Sequence, residues 1–108
     1  MKVKELLSLP GFNEITLPDP EREIEGVYIG DLLSWVMKSL EEGSAWLTIM
    51  SNVNILAVAA LKDGAVIILC EGVSLDENVK KTALEKGINV LSTEKTAYEA
   101  AVTLSPMI

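Results

Sequence analysis

The chain has 108 residues, no histidine and one cysteine, and its 16 acidic against 9 basic side chains give a formal net charge of -7. A charge of this sign repels phosphate backbones, so the composition argues against nucleic acid as a partner. Without histidine and with a single cysteine, the chain cannot assemble a structural zinc site, a Ser/His or Cys/His catalytic pair or, as a monomer, an iron–sulfur cluster, so we expect no cofactor and no metal.

The N-terminal segment, residues 1–23, is predicted to be the less regular part of a single domain that spans residues 1–108. Val3 to Leu9 fit one short helix that a Pro-Gly pair stops, and Glu14 to Leu17 fit a first strand. Charged residues interrupt this segment too early for a secretory signal, and no later apolar run is long enough to cross a bilayer. We therefore expect a cytoplasmic protein.

Residues 24–105 are predicted to form the α/β core, in which strands and helices alternate. A strand from Ile24 to Ile29 leads into a helix from Asp31 to about Glu42, with Asp31 placed to accept hydrogen bonds from the first free amides. Trp35 lies off the centre of the apolar stripe of this helix, so it either wraps over the sheet edge or is exposed for a partner. The stripe itself consists of Leu32, Leu33, Val36, Met37 and Leu40.

The next strand, AWLTIM, carries Trp46, which we expect in the core, and is followed by the uncharged segment Val53 to Leu61. The apolar positions of this segment encircle the helix, so it needs cover on both sides. Because one side would otherwise meet water, we predict a symmetric homodimer that substitution of Ala59 or Ala60 by Glu should split. The predicted interface consists of Ile55, Leu56, Ala59, Ala60 and Trp35.

Two more strand–helix units complete the predicted core. The strand AVIIL is followed by Cys70, whose thiol we expect to be buried and unreactive. The helix after it is predicted to begin with a capping box of Ser74 and Glu77. A last strand, Ile88 to Leu91, leads through Ser92 and Thr93 into a helix that ends before Pro106. The packing side of that helix is predicted to carry Ala97, Tyr98, Ala101, Val102 and Leu104.

This alternation predicts an α/β fold with a largely parallel sheet of four to five strands, helices on both faces, and a strand or two antiparallel at an edge. In such sheets, ligands bind beyond the carboxyl ends of the strands, near helix N-termini. The polar residues at two of these tips either cap their helices or hold a small ligand. They are Ser51, Asn52, Asn54 and Thr93.

Four segments, GVYIGDLLSWVM, WLTIMSNVNILAVAAL, AVIILCEG and GINVLSTEKTAYEAA, together resemble the DRTGG domain family over nearly the whole chain after residue 24. The name-giving string is absent, and Ser51-Asn52-Val53 stands where many members carry Gly-Asp-Arg. The resemblance implies a regulatory or dimerising domain without catalytic residues, similar to the N-terminal domain of HPr kinase/phosphorylase and to the DRTGG domains of phosphotransacetylases and CBS pyrophosphatases. For short stand-alone members it also implies a redox or hydrogenase-associated protein partner.

Two functions are consistent with these observations. The first is a non-enzymatic regulatory or adaptor domain, a homodimer that senses a small nucleotide-like ligand or scaffolds a redox partner. The second is a small-molecule-binding or enzymatic module with its site at the carboxyl ends of the strands, where a dimer mate can complete it. A deep pocket at that edge of the sheet would favour the second function.

Overall fold

The structure is a computed structural model that describes residues 1–108. Its single sheet contains five strands. Their order across the sheet is β1-β5-β4-β3-β2, with β1 antiparallel to β5 and all other neighbours parallel. This arrangement confirms the predicted α/β fold with a largely parallel sheet and an antiparallel edge strand. The strands are β1 (Phe12–Thr16), β2 (Gly26–Ile29), β3 (Ser44–Thr48), β4 (Val66–Leu69) and β5 (Val90–Thr93).

Four α-helices and an N-terminal 3₁₀ helix cover the two faces of the sheet. Three of the α-helices pack on one face, and the fourth packs with the 3₁₀ helix on the other face. The α-helices are α1 (Leu33–Ser39), α2 (Asn54–Leu61), α3 (Glu77–Glu85) and α4 (Ala97–Leu104). The 3₁₀ helix spans Val3–Ser8, and a short 3₁₀ turn at Ser105–Met107 follows α4.

The central strands β3 and β4 are buried at every position. Because successive side chains of a strand point to opposite faces, Val66 and Ile68 contact the core under α4 while Ile67 and Leu69 contact the core under α1, α2 and α3. A strand with both faces in the core needs apolar residues at consecutive positions rather than at alternate ones. The run of aliphatic residues in β4 meets that requirement.

Asp31 does not cap α1, contrary to the prediction. The helix begins at Leu33 and ends at Ser39, so it is shorter than predicted at both ends. The Asp31 carboxylate instead accepts hydrogen bonds from Thr48 Oγ1 at 2.7 Å and from the backbone amide of Ile49 at 2.9 Å. These partners belong to the neighbouring strand and its loop, which a local sequence pattern does not reveal.

The predicted capping box of Ser74 and Glu77 is also wrong. The N-cap residue of α3 is Asp76, whose carboxylate accepts a hydrogen bond from a first-turn backbone amide at 3.2 Å. A capping box occurs at α4 instead, where Glu99 N donates to Thr96 Oγ1 at 3.2 Å and Thr96 N donates to Glu99 Oε1 at 2.9 Å. Both helices thus begin at a side chain that satisfies a free backbone amide.

The buried stripes of α1 and α4 are narrower than predicted. In α1, Leu32 and Met37 are exposed although the sequence placed them on the packing side. In α4, Tyr98 and Val102 are exposed, and the buried side is centred on Ala100, which the prediction left out. A helix of two turns contacts a sheet along one line of residues, so positions at the margin of the apolar stripe remain in water.

Asn89 attaches the N-terminal segment to the core. Its side chain is buried, and its Nδ2 donates to the carbonyls of Asp19 at 2.8 Å and Ala65 at 3.1 Å. Its Oδ1 accepts a hydrogen bond from the Asp19 amide at 2.9 Å. Nearby, Arg22 pairs with Asp63 at 2.9 Å, and this hydrogen bond lowers the pKa of the Asp63 carboxyl. The segment before β2 is therefore held by specific polar contacts.

Trp46 provides a test of the core. It is completely buried, and its indole N–H donates to the Gly30 carbonyl at 2.9 Å. We expect Trp46→Phe to lower the free energy of unfolding by about 2–4 kcal/mol, because it leaves that carbonyl without its partner and removes buried volume. The control Trp35→Phe, at an exposed position, should change it by less than about 0.5 kcal/mol. Urea unfolding followed by circular dichroism measures both, and equal losses would contradict this account.

Candidate functional site

The loop between β3 and α2 brings together three of the four predicted polar site residues. Asn52 Oδ1 accepts a hydrogen bond from the Asn54 backbone amide at 2.9 Å, so Asn52 closes a turn that starts α2. The hydroxyl of Ser51 and the side-chain amide of Asn54 make no hydrogen bond to another residue, and Asn54 is exposed. Asn52 therefore has a structural role, while the Ser51 hydroxyl and the Asn54 side-chain amide have no hydrogen-bond partner in the chain.

Thr93 does not join this loop. It is buried at the end of β5, where its Oγ1 accepts a hydrogen bond from the Lys95 amide at 3.2 Å. Because β4 lies between β5 and β3, two strand spacings separate the two tips, or about 10 Å. Thr93 also does not cap α4, whose N-cap is Thr96. The structure thus separates this residue from the other three.

Asp31 and Thr48 form the best-connected polar pair at the carboxyl edge of the sheet, and sequence reasoning did not identify them as a pair. Thr48 Oγ1 donates to the Asp31 carboxylate and also accepts a hydrogen bond from the Met50 amide at 3.1 Å. With the bond from the Ile49 amide to Asp31, the pair fixes the start of the β3–α2 loop. The only sequence signal was an aspartate two residues after a strand, whose partner lies 17 residues further along the chain.

The three surface cavities lie away from the β3–α2 loop. One of about 590 Å³ lies between the C-terminal ends of α1 and α2. One of about 470 Å³ lies between β2 and the end of α4, and one of about 180 Å³ lies at the amino ends of β4 and β5. The deep pocket that would favour a ligand-binding or enzymatic module is therefore not formed at the predicted position within one copy of the chain.

The cysteine at the carboxyl edge of the sheet is part of the core. Cys70 is buried beside the end of β4, and burial raises the pKa of its thiol to about 11, which keeps it protonated and unreactive. No group of three Cys, Asp or Glu side chains is placed to hold a metal ion. None of the helices is long and apolar enough to span a membrane.

The five residues predicted for the dimer interface divide into a buried and an exposed set. Ile55, Leu56 and Ala59 are buried in the domain's own core beneath α2, so a second copy cannot contact them. Ala60 and Trp35 are exposed, and Trp35 has 56% of its surface in water. α2 thus has a buried side and an exposed side, although its sequence is apolar all round.

The exposed apolar residues of α1 and α2 form a surface that we call the outer face. The two helices contact each other, and α2 contains no charged residue. The Lys38 ammonium lies 4.9 Å from the centre of the Trp35 ring, and Lys62 follows Leu61 at the end of α2. Neighbouring exposed apolar side chains are typical of an interaction site. The outer face consists of Leu32, Trp35, Val53, Ala57, Ala60 and Leu61.

Comparison with known proteins gives one family and a related fold. The sequence matches the family model described as the DRTGG domain over residues 18–107, and no curated protein matches it. It is similar to the crystal structure of the CBS and DRTGG domains of the regulatory region of Clostridium perfringens pyrophosphatase complexed with its activator, diadenosine tetraphosphate. The TM-score is 0.67 at 14% identity, over 93% of this chain and 43% of that chain, so this chain spans less than half of that structure.

The placement of Cys70 can be checked by alkylation. We expect the native chain to resist iodoacetamide at mildly alkaline pH, because the thiol is buried and its pKa of about 11 leaves it protonated. In concentrated guanidinium chloride the same thiol should react as a free cysteine does. Mass spectrometry measures the extent of modification, and fast labelling of the folded chain would show that the thiol is accessible.

Proposed function

The chain belongs to the DRTGG domain family, and on this premise we propose that it is a non-enzymatic regulatory or adaptor domain that acts as a homodimer. The observation that carries the proposal is the outer face of α1 and α2, which is apolar and exposed and lacks carboxylates. With a net charge of -7, two copies repel one another wherever their acidic surfaces meet. An uncharged helix face is where that repulsion is weakest and where the most apolar area can be buried.

A symmetric contact through α2 fits the residues exposed there. Val53, Ala57, Ala60 and Leu61 follow the spacing of one helix side, so a two-fold axis would place each stripe against its copy. The two alanines allow close approach of the helices, and Leu61 adds apolar area at the end of the stripe. Ile55 and Leu56 lie on the opposite, core-facing side of α2 and pack the helix against the sheet.

An adaptor role in a redox assembly is part of this proposal. The resemblance to stand-alone members of the family supports a redox or hydrogenase-associated protein as partner. In such an assembly the domain would supply contacts and not an iron–sulfur cluster, because one buried cysteine and no histidine leave no ligand set for a cluster within one chain.

A small nucleotide-like ligand is a second candidate for regulation. The related pyrophosphatase region was crystallised with diadenosine tetraphosphate as its activator. In this chain, the free polar groups of Ser51 and Asn54 lie at the N-terminus of α2, whose amides attract anions. Glu71 and Glu94, exposed after β4 and β5, oppose binding of a highly charged phosphate at the neighbouring tips.

We expect Ala60→Glu to convert the dimer to a folded monomer, because it places a carboxylate on the exposed apolar stripe of α2. Light scattering gives the mass of the particle, and circular dichroism shows whether the fold is kept. The control is Val102→Glu, also an exposed apolar position but on α4, across the sheet, and it should remain a dimer.

Ala59→Glu is expected to behave differently from Ala60→Glu. Ala59 is buried in the core, so the substitution would bury an unpaired carboxylate and unfold the chain instead of splitting a dimer. If the native chain is monomeric at the highest concentration that light scattering allows, the homodimer proposal is wrong.

For the ligand candidate, we expect millimolar diadenosine tetraphosphate or AMP to raise the melting temperature in a saturable way, because a ligand that binds only the folded state stabilises it. Asn54→Ala should abolish the shift, and Asn78→Ala, an exposed asparagine on α3, should keep it. Asn52 is less suitable for this test since its side chain closes the turn before α2. No shift with either nucleotide would leave the protein contacts as the mode of regulation.

A further inference from the structure

The two free edges of the sheet differ in how they are protected. The outer edge strand β1 carries the exposed carboxylate of Glu14, and its pairing with β5 has an irregularity between Glu14 and Thr16. Charges and bulges on an edge strand prevent another strand from pairing with it. At the other edge, β2 has the sequence GVYI, without charge or proline, and it pairs with β3 in an unbroken register. β2 is therefore an unprotected edge.

An apolar groove follows β2 on the side of α4. It has a volume of about 470 Å³, and its walls include Val27 and Ile29 of the strand, Ala101 of α4, and Ser105 and Ile108 beyond it. Val27 packs partly against the core, whereas Ile29 is 47% exposed. In a strand added beside β2, every second side chain would point to this face of the sheet.

Two carboxylates without a cationic partner flank the edge. Glu25 precedes β2 and lies against Gly43, and Asp31 follows β2 and accepts hydrogen bonds from Thr48 and Ile49, so both carboxylates lie on the β3 side of the strand. Both residues are exposed, and neither takes part in any of the four ion pairs of the chain. An approaching strand therefore meets negative potential at both of its ends. Antiparallel pairing of β2 with the same strand of a second copy would bring Glu25 of one chain towards Asp31 of the other, which is unfavourable.

We propose that β2 is a docking edge for an extended segment of a protein partner, with apolar residues at alternate positions and lysine or arginine at both ends. The segment would add a sixth strand next to β2, with its apolar side chains in the groove and its cationic ends near Glu25 and Asp31. This edge is distinct from the outer face, so the inference does not rest on the homodimer or on the ligand proposed above.

The test is an NMR titration of the isotope-labelled chain with two synthetic peptides, KKTVTVTVKK and EETVTVTVEE. We expect the lysine peptide to shift the amide signals of residues 26–29 and to slow their hydrogen exchange, because outward-facing amides of the edge gain partners. Its affinity should exceed that of the glutamate peptide by roughly tenfold or more at low salt, and the difference should shrink as salt is added.

Two matched variants locate the site. Ile29→Lys should abolish the shifts, since it puts a charge in the groove and on the edge, whereas Leu84→Lys, at a residue of α3 that is 51% exposed and distant from the groove, should leave them unchanged. Glu25→Lys should remove most of the preference for the lysine peptide. Thermal melts of all three variants establish that each is folded.

Several outcomes would overturn the proposal. These are no shift with the lysine peptide at millimolar concentration, shifts centred on α1 and α2, or equal binding of both peptides. Shifts at residues 26–29 that depend on protein concentration without peptide would show that a second copy occupies the edge. A monomeric native chain that still binds the lysine peptide at β2 would refute the homodimer and leave this inference intact.

Discussion

Burial of β3 and β4 on both faces is the constraint on which the rest of the structure depends. Two strands that are buried at every position need helices above and below, and the four α-helices and the N-terminal 3₁₀ helix supply that cover. The two edges of the sheet differ in how well they are covered. The β1 side is closed by an antiparallel strand and by the Asn89 contacts to the N-terminal segment, whereas the β2 side keeps exposed apolar residues.

Exposed apolar side chains lie around β2, α1 and α2, next to the loop of Ser51 and Asn54, and others lie on α3, α4 and the C-terminal turn. Here the buried thiol of Cys70 is kept protonated, and Asp31 is used to hold a loop. A protein that works by contacts, as a regulatory domain of the DRTGG family would, needs surfaces of the kind that this chain presents.

The features that could be predicted from the sequence are those set by local patterns. Alternating helices and strands, the buried Trp46 and the buried Cys70 each follow from residue type and spacing. The loop residues Ser51, Asn52 and Asn54 lie together because they are neighbours in the chain, whereas Thr93 lies at a separate tip because β4 intervenes. The side of α2 that faces the sheet could not be predicted, since a helix that is apolar all round has almost no amphipathic direction. Asp31 was misassigned because its partners belong to another strand.

The opposite environments of the two tryptophans have an optical consequence. Trp46 has no contact with water and donates its indole N–H to a carbonyl, whereas Trp35 lies in water under the Lys38 ammonium. A water-soluble quencher such as acrylamide will reach the Trp35 ring and not the Trp46 ring while the chain is folded. The quenched part of the emission therefore reports whether anything covers α1, and the protected part reports whether the core is intact. One sample, without any attached dye, gives separate signals for association and for unfolding.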